Sequence, residues 1–211
     1  MELLAKQITQ AKDMFLKNEK YFLFILIIVF YFFASKAYSA SEDKAEALNY
    51  LSSLSDFSAS FIQSDGDNLS EGKVYIGKKR VRAEYFLPTK ILIILAEDKA
   101  MYYDYALEED EFFNPKNTNA WFFYDIFRNP YFFEDGKIEV KNNELLLEKK
   151  GIDNEEKNFV IRVLFEKQPL ILRGIEVRIN QDMLKLSIFN HSYNEEFDKD
   201  FFKLINPKFL D

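Results

Sequence analysis

Alternation constrains this chain more than any other feature. From Phe57 onward, segment after segment sets apolar and polar residues at alternate positions, and Gly, Asn, Asp or Pro punctuates the gaps. Successive side chains of a strand face opposite sides of a sheet, so the pattern specifies half-buried strands. The stretch 57–63, FSASFIQ, sets Phe57, Ala59 and Phe61 against Ser58 and Ser60. NFVIRVLFE at 158–166 repeats the device with Phe159, Ile161, Val163 and Phe165 on one face.

Between and beyond these lie further strands. Segment 72–76 is the second, 80–88 the third, with Val81, Ala83 and Tyr85 opposite Arg82 and Glu84, and 90–98 the fourth, apolar on both faces. Two short strands surround a turn near Ala106, and 137–150 is a hairpin turning at Asn142-Asn143, residues that tolerate positive φ. Segment 170–190 holds two strands around Asn180-Gln181-Asp182, with Ile175, Val177 and Ile179 facing Leu184, Leu186 and Ile188. The expectation is a mainly β chain: one antiparallel sheet of roughly ten strands, wide enough to curl. Its apolar concave face then needs a filler, whether inward side chains, a helix or a ligand.

Two segments carry helical signals. Residues 42–54 repeat Leu48, Leu51 and Leu54 at helical spacing, with acids in the first turn and Ser41 placed to cap it. NAWFFYDIF at 119–127 is apolar nearly all round, Asp125 being its polar exception. A helix without a polar face is buried or plugs something.

Ahead of the sheet, residues 21–34 form an unbroken apolar run, short for a membrane span and of the size of a signal-peptide core. Small residues at Ala37, Ser39 and Ala40 follow it. The expected organisation is therefore a signal region over 1–40, with translation beginning at Met14 as an alternative start, and one domain over 41–211. An uncleaved anchor over 21–33 is the competing reading. Net charge is −7 overall and, because residues 1–40 contribute +2, −9 for residues 41–211. Such acidity argues against nucleic acid as a partner.

Catalytic chemistry is sparse. There is no cysteine, which excludes a thiol enzyme, a cysteine metal site and a lipid-anchored N-terminus. The single histidine, His191, stands at a strand end without a nucleophile beside it, and neither phosphate-binding nor calcium-binding loops occur. The expectation is a non-enzyme with no catalytic residues, no metal and no cofactor. The basic run Lys78, Lys79 and Arg80 lies in a turn, either solvated or a docking patch for an acidic partner.

In series, FSASFIQ, GKVYI, VRAEYFLP, DKAMYYDYALEE, the apolar helix and FFKLINP resemble the LolA family over about residues 42–208. That resemblance implies an unclosed antiparallel β-barrel, a half-barrel, with a hydrophobic cavity under a short helical lid. It implies a periplasmic chaperone that carries acylated lipoproteins from the inner to the outer membrane. The expected partners are those lipoproteins, an inner-membrane ABC-type releasing complex and an outer-membrane lipoprotein receptor, with the carrier a monomer. Candidate cavity residues are Phe57, Phe61, Val81, Ala83, Tyr85, Val163 and Ile188, and candidate lid residues are Trp121, Phe122, Phe123, Ile126 and Phe127. The family's Arg-Pro at the turn between strands two and three is replaced here by Gly77-Lys78, leaving Lys78, Lys79 or Arg80 to latch the lid. An aromatic common in strand three is here Ala83, which reshapes the pocket wall. The alternative is a half-barrel that senses lipid or lipoprotein, or carries another lipid, anchored in the inner membrane by residues 21–33 and facing the periplasm.

Overall fold

The computed structural model describes residues 41–153 and 156–209. The chain divides into two compact units, Met1–Glu42 and Asp43–Asp211, and the second holds the whole sheet. The segment 21–40 and Met14 lie outside the described residues. Among the described residues, no helix is long and apolar enough to cross a membrane.

Eleven strands among the described residues form one antiparallel sheet, against the roughly ten expected. They are β1 (Phe57–Ser64), β2 (Leu69–Ile76), β3 (Val81–Leu87), β4 (Ile91–Leu95), β5 (Ala100–Asp104), β6 (Glu109–Phe113), β7 (Lys137–Lys141), β8 (Glu144–Ile152), β9 (Asn158–Glu166), β10 (Ile171–Ile179) and β11 (Asp182–Tyr193). Their spatial order is β6-β5-β4-β3-β2-β1-β11-β10-β9-β8-β7, so β6 and β7 stand at opposite edges and the sheet is not closed into a barrel. FSASFIQ is therefore the central strand. Meanders run outward from it on one side and from its partner β11 on the other. The turn chemistry falls where the sequence puts it: Gly66, Asn142 and Asn180 all take positive φ.

This topology forces a crossing. The chain leaves the sheet at the β6 edge and re-enters at the β7 edge, so residues 114–136 must traverse a face. A first helix, α1, covers residues 41–53, and Ser41 is itself helical rather than a flanking cap. The crossing connection contains a 3-10 turn (Pro115–Asn117) and a second helix, α2 (Ala120–Arg128). Both helices lie in one core cluster with Phe57, Phe61, Val81, Phe159 and Ile188, which defines the inner face of the sheet.

Small residues make that inner face possible. Phe61 pairs directly with Gly72, and a Cβ at Gly72 would stand 2.3 Å from the Glu84 carbonyl oxygen and 2.5 Å from the Phe61 ring. Gly151 gives the same room to Phe159, its partner across β8 and β9. In both places an aromatic ring lies across the position where a side chain is missing.

The outer face is covered too, and by the C-terminal segment. After β11 the chain doubles back: Glu195 accepts a hydrogen bond from Ser58 Oγ at 2.6 Å, and Phe201 packs edge-on against Tyr75 at 4.9 Å. Leu204 caps a second cluster of Leu92, Ile94, Met101 and Tyr103. This is the reason β4 is apolar on both faces. Ser58, set on the polar side by its alternation, is fully buried for the same reason.

Candidate functional site

An apolar cavity of about 260 Å³ lies between the inner face of the sheet and α2. Its walls come from β1, β2, β3, β4, β10 and β11, and its roof from Asn119, Ala120, Phe123 and Phe127. The strand registers bring these walls together. Val81 stands opposite Leu95, Ala83 opposite Ile93, and Phe61 opposite Ile188, so one face of each strand contributes every second residue.

The candidate residues divide by position. Phe61, Val81, Ala83, Tyr85, Ile188, Phe123 and Phe127 all line the cavity. Phe57 and Val163 are buried in the same core but away from it, Phe57 against Tyr193 at 5.2 Å. Trp121 and Phe122 turn toward the far meander, meeting Phe159 at 6.0 and 4.9 Å, and Trp121 also meets Phe132 of the crossing connection at 5.8 Å. Ile126 is buried on the other side, in the wall of a charged hollow that also holds Lys78, Glu97 and Asp98. Ile93, Leu95, Leu184 and Leu186 join the lining as well; alternation marked Leu184 and Leu186, whereas β4 is apolar at every position and gave no sign of which of its residues face inward.

No residue of α2 is exposed; each is buried or half-buried. Its one carboxylate, Asp125, accepts from Asn129 Nδ2 at 3.3 Å, and burial raises its pKa above the ordinary carboxylate range. At the helix end, Arg128 reaches across to two backbone carbonyls: that of Leu54, just past α1, and that of Lys78, in the β2–β3 turn, at 3.4 Å. Burial lowers the pKa of its guanidinium, and its Nε is buried with no hydrogen-bond partner among the described residues.

A tie between α2 and the β2–β3 turn is present, with the donor on the helix. The arginine sits on the helix and the β2–β3 turn supplies an acceptor. Among the described residues the Lys78 and Lys79 side chains make no hydrogen bond to α2, and Arg80 turns to the outer face, donating to the Phe202 carbonyl at 2.5 Å. The backbone closes the turn tightly, Gly77 N to Arg80 O at 2.9 Å, and the Lys78 carbonyl is left to accept from Arg128.

Helix α1 clamps the connection beyond α2. Lys44 Nζ donates to the Glu134 and Gly136 carbonyls at 2.8 and 2.7 Å, and Asp43 pairs with Lys167 at 2.5 Å. Tyr50 bonds to Tyr193 through their hydroxyls at 2.7 Å and accepts from Leu172 N at 3.3 Å. The Nε2 of His191 lies 2.6 Å from the Leu172 carbonyl, and its ring stacks near Tyr193.

The fold and site together define an open antiparallel sheet with a buried helix across an apolar cavity. Solved structures with a similar course include an uncharacterized conserved protein from Thermus thermophilus, 12% identical with a TM-score of 0.49, over 78% of this chain and 93% of that one. A chain of the Pseudomonas aeruginosa MucA/MucB complex is 8% identical with a TM-score of 0.46, over 78% of this chain and 60% of its own. A chain of MucB in complex with MucA(peri) is 8% identical with a TM-score of 0.45, over 78% of this chain and 59% of its own. No protein-family model and no curated protein matches the chain.

Proposed function

We propose that this chain is a non-catalytic carrier that buries the acyl chains of lipoproteins under α2 and moves them through the periplasm between the inner and outer membranes. The observation that carries this reading is the pairing of an apolar cavity with a roof helix that exposes no residue and is tied by few polar contacts. At about 260 Å³ the cavity is smaller than the roughly 300–1,000 Å³ of pockets that hold drug-sized ligands. An acyl chain therefore enters by displacing Phe123 and Phe127 rather than by filling an existing void.

That exchange makes loading reversible. Burying an acyl chain gains about 0.8 kcal/mol per CH₂, while the displaced phenylalanines lose burial of the same kind. The difference is small, as a shuttle between two membrane complexes requires. An ABC-type releasing complex would supply the cargo and a lipoprotein receptor would accept it.

The test is incubation of the purified chain with spheroplasts, followed by native mass spectrometry of the soluble fraction. Lipoproteins released in stoichiometric complex with this chain support the carrier. A tightly held free lipid with no lipoprotein release moves the function to lipid binding or sensing.

A further inference from the structure

The cavity is not uniform along its length. Val81 at one end and Ile188 midway are almost wholly buried, whereas Leu184 and Leu186 at the other end are less so. Strand register gives the axis: Phe61 stands beside Ile188, and two residues on, toward the β1–β2 turn, Gln63 stands beside Leu186. The second end is the mouth. There the cavity shares Asn119, Phe123 and Leu184 with an open hollow rimmed by Asp65, Asp67 and Asp182.

Of the hydrogen-bonding side chains of the lining, Gln63 stands beside Leu186, Asn119 also borders the hollow, and Tyr85, level with Phe61 across Gly72, reaches Gln63 with its hydroxyl. Tyr85 donates its hydroxyl proton to Gln63 Oε1 at 2.8 Å, and the Phe61 ring packs edge-on against Tyr85 at 5.1 Å. Burial pushes the Tyr85 pKa up to about 12, so the phenol keeps the proton it donates. The bond fixes the orientation of the Gln63 amide. Its oxygen is occupied, and its NH₂ makes no hydrogen bond among the described residues. A donor group beside an apolar cavity matches a ligand whose acceptor follows its hydrocarbon chain.

Resting on the carrier reading, we propose that Gln63, positioned by Tyr85, binds the ester or amide carbonyl at which an acyl chain joins its head group. The chain lies with its methyl end toward Val81 and its carbonyl at the mouth. The carboxylates on the rim oppose a free fatty acid, whose terminal charge would stand among like charges. The site thus selects acyl groups in ester or amide linkage.

The experiment measures displacement of a cavity-bound fluorescent dye from the purified full chain by methyl dodecanoate, by pentadecane of equal heavy-atom count, and by sodium dodecanoate. One hydrogen bond to a neutral carbonyl corresponds to roughly a five- to tenfold preference. The ester-to-alkane affinity ratio is expected to fall by about that factor in Gln63→Leu, and by a smaller factor in Tyr85→Phe, which leaves the amide present but free to turn. Dodecanoate is expected to bind more weakly than its ester, with the gap narrowing as salt is added. If Gln63→Leu misfolds by circular dichroism, Tyr85→Phe carries the test alone. Tight binding of ester and alkane with an unchanged ratio in both variants overturns the carbonyl assignment and leaves the carrier reading standing. Failure of every ligand to displace the dye overturns both.

Discussion

Arg128, the last residue of α2, donates to the carbonyl oxygen of Lys78 at 3.4 Å, joining the end of the roof helix to the turn between β2 and β3. Its other terminal nitrogen bonds to Leu54, so one side chain ties α2 both to the sheet and to the end of α1. The tie carries a desolvation cost: burial disfavours the charge, and Nε has no partner among the described residues. A charged group held in this way fixes one position of the helix, its hydrogen bonds offsetting that desolvation.

Removing that group should open the cavity more than it unfolds the protein. Arg128→Ala is expected to increase binding of an environment-sensitive dye several-fold, while unfolding free energy falls by about 1.5–3 kcal/mol, the range for hydrogen bonds from a charged donor. Stopped-flow dye uptake and equilibrium urea denaturation separate the two effects. Unchanged uptake would show that Arg128 does not restrain α2.

Phe123 and Phe127 both roof the cavity but differ in burial, and this decides which one tests loading. Phe127 is 5% exposed, so Phe127→Glu places a carboxylate in the core and is expected to destabilise the whole domain. Phe123 is half-buried beside the mouth, where a carboxylate reaches water. Phe123→Glu is expected to fold with a near-normal melting curve and to lose lipoprotein release in the spheroplast assay. Normal release by that variant would remove α2 from the loading step.

Much of this arrangement was legible in the residues, because one-sided burial leaves a period of two. Val81, Ala83 and Tyr85 declared their common face, and the apolarity of 119–127 announced a helix without solvent. The outer face was less legible. Ser58 and the outward residues of β4 are buried by the C-terminal segment, whose Phe201, Phe202 and Leu204 show apolar content but not where it packs. Arg80 and Arg82 were hidden for the same reason: each donates at 2.5 Å to a carbonyl of that segment, a backbone partner that leaves no mark in sequence. The Arg128 tie is of this kind too.

The glycines opposite phenylalanines make a graded prediction about packing. At Gly72 a Cβ meets the Glu84 carbonyl at 2.3 Å, and that backbone cannot yield without moving β3. At Gly151 the nearest atoms, at 2.6 Å, belong to the Phe159 ring, which can rotate away. Gly72→Ala is therefore expected to cost about 1–3 kcal/mol as an overpacked site, and Gly151→Ala less. Urea denaturation of the two variants checks the order, and equal costs would mean that ring contact rather than backbone contact sets the penalty.

Asp125 links the roof to pH. Burial raises its pKa above the ordinary carboxylate value of about 3.9, with Glu97 adding to the rise and Asn129 and Lys116 opposing it. A raised carboxyl pKa means that the folded protein binds the proton more tightly than the unfolded chain does. The contribution of this group to stability is thus fully present below about pH 3.9, the unfolded value, and is lost as pH rises through the folded value. At neutral pH the ionised Asp125 works against seating of α2. Asp125→Asn keeps an acceptor for Asn129 and removes the charge, so it should be more stable than the wild type at pH 7, with slower dye uptake. The stability difference should shrink as pH falls toward about 4. Denaturation midpoints for both proteins across that range provide the check, and a difference independent of pH would place the effect in packing rather than in ionisation.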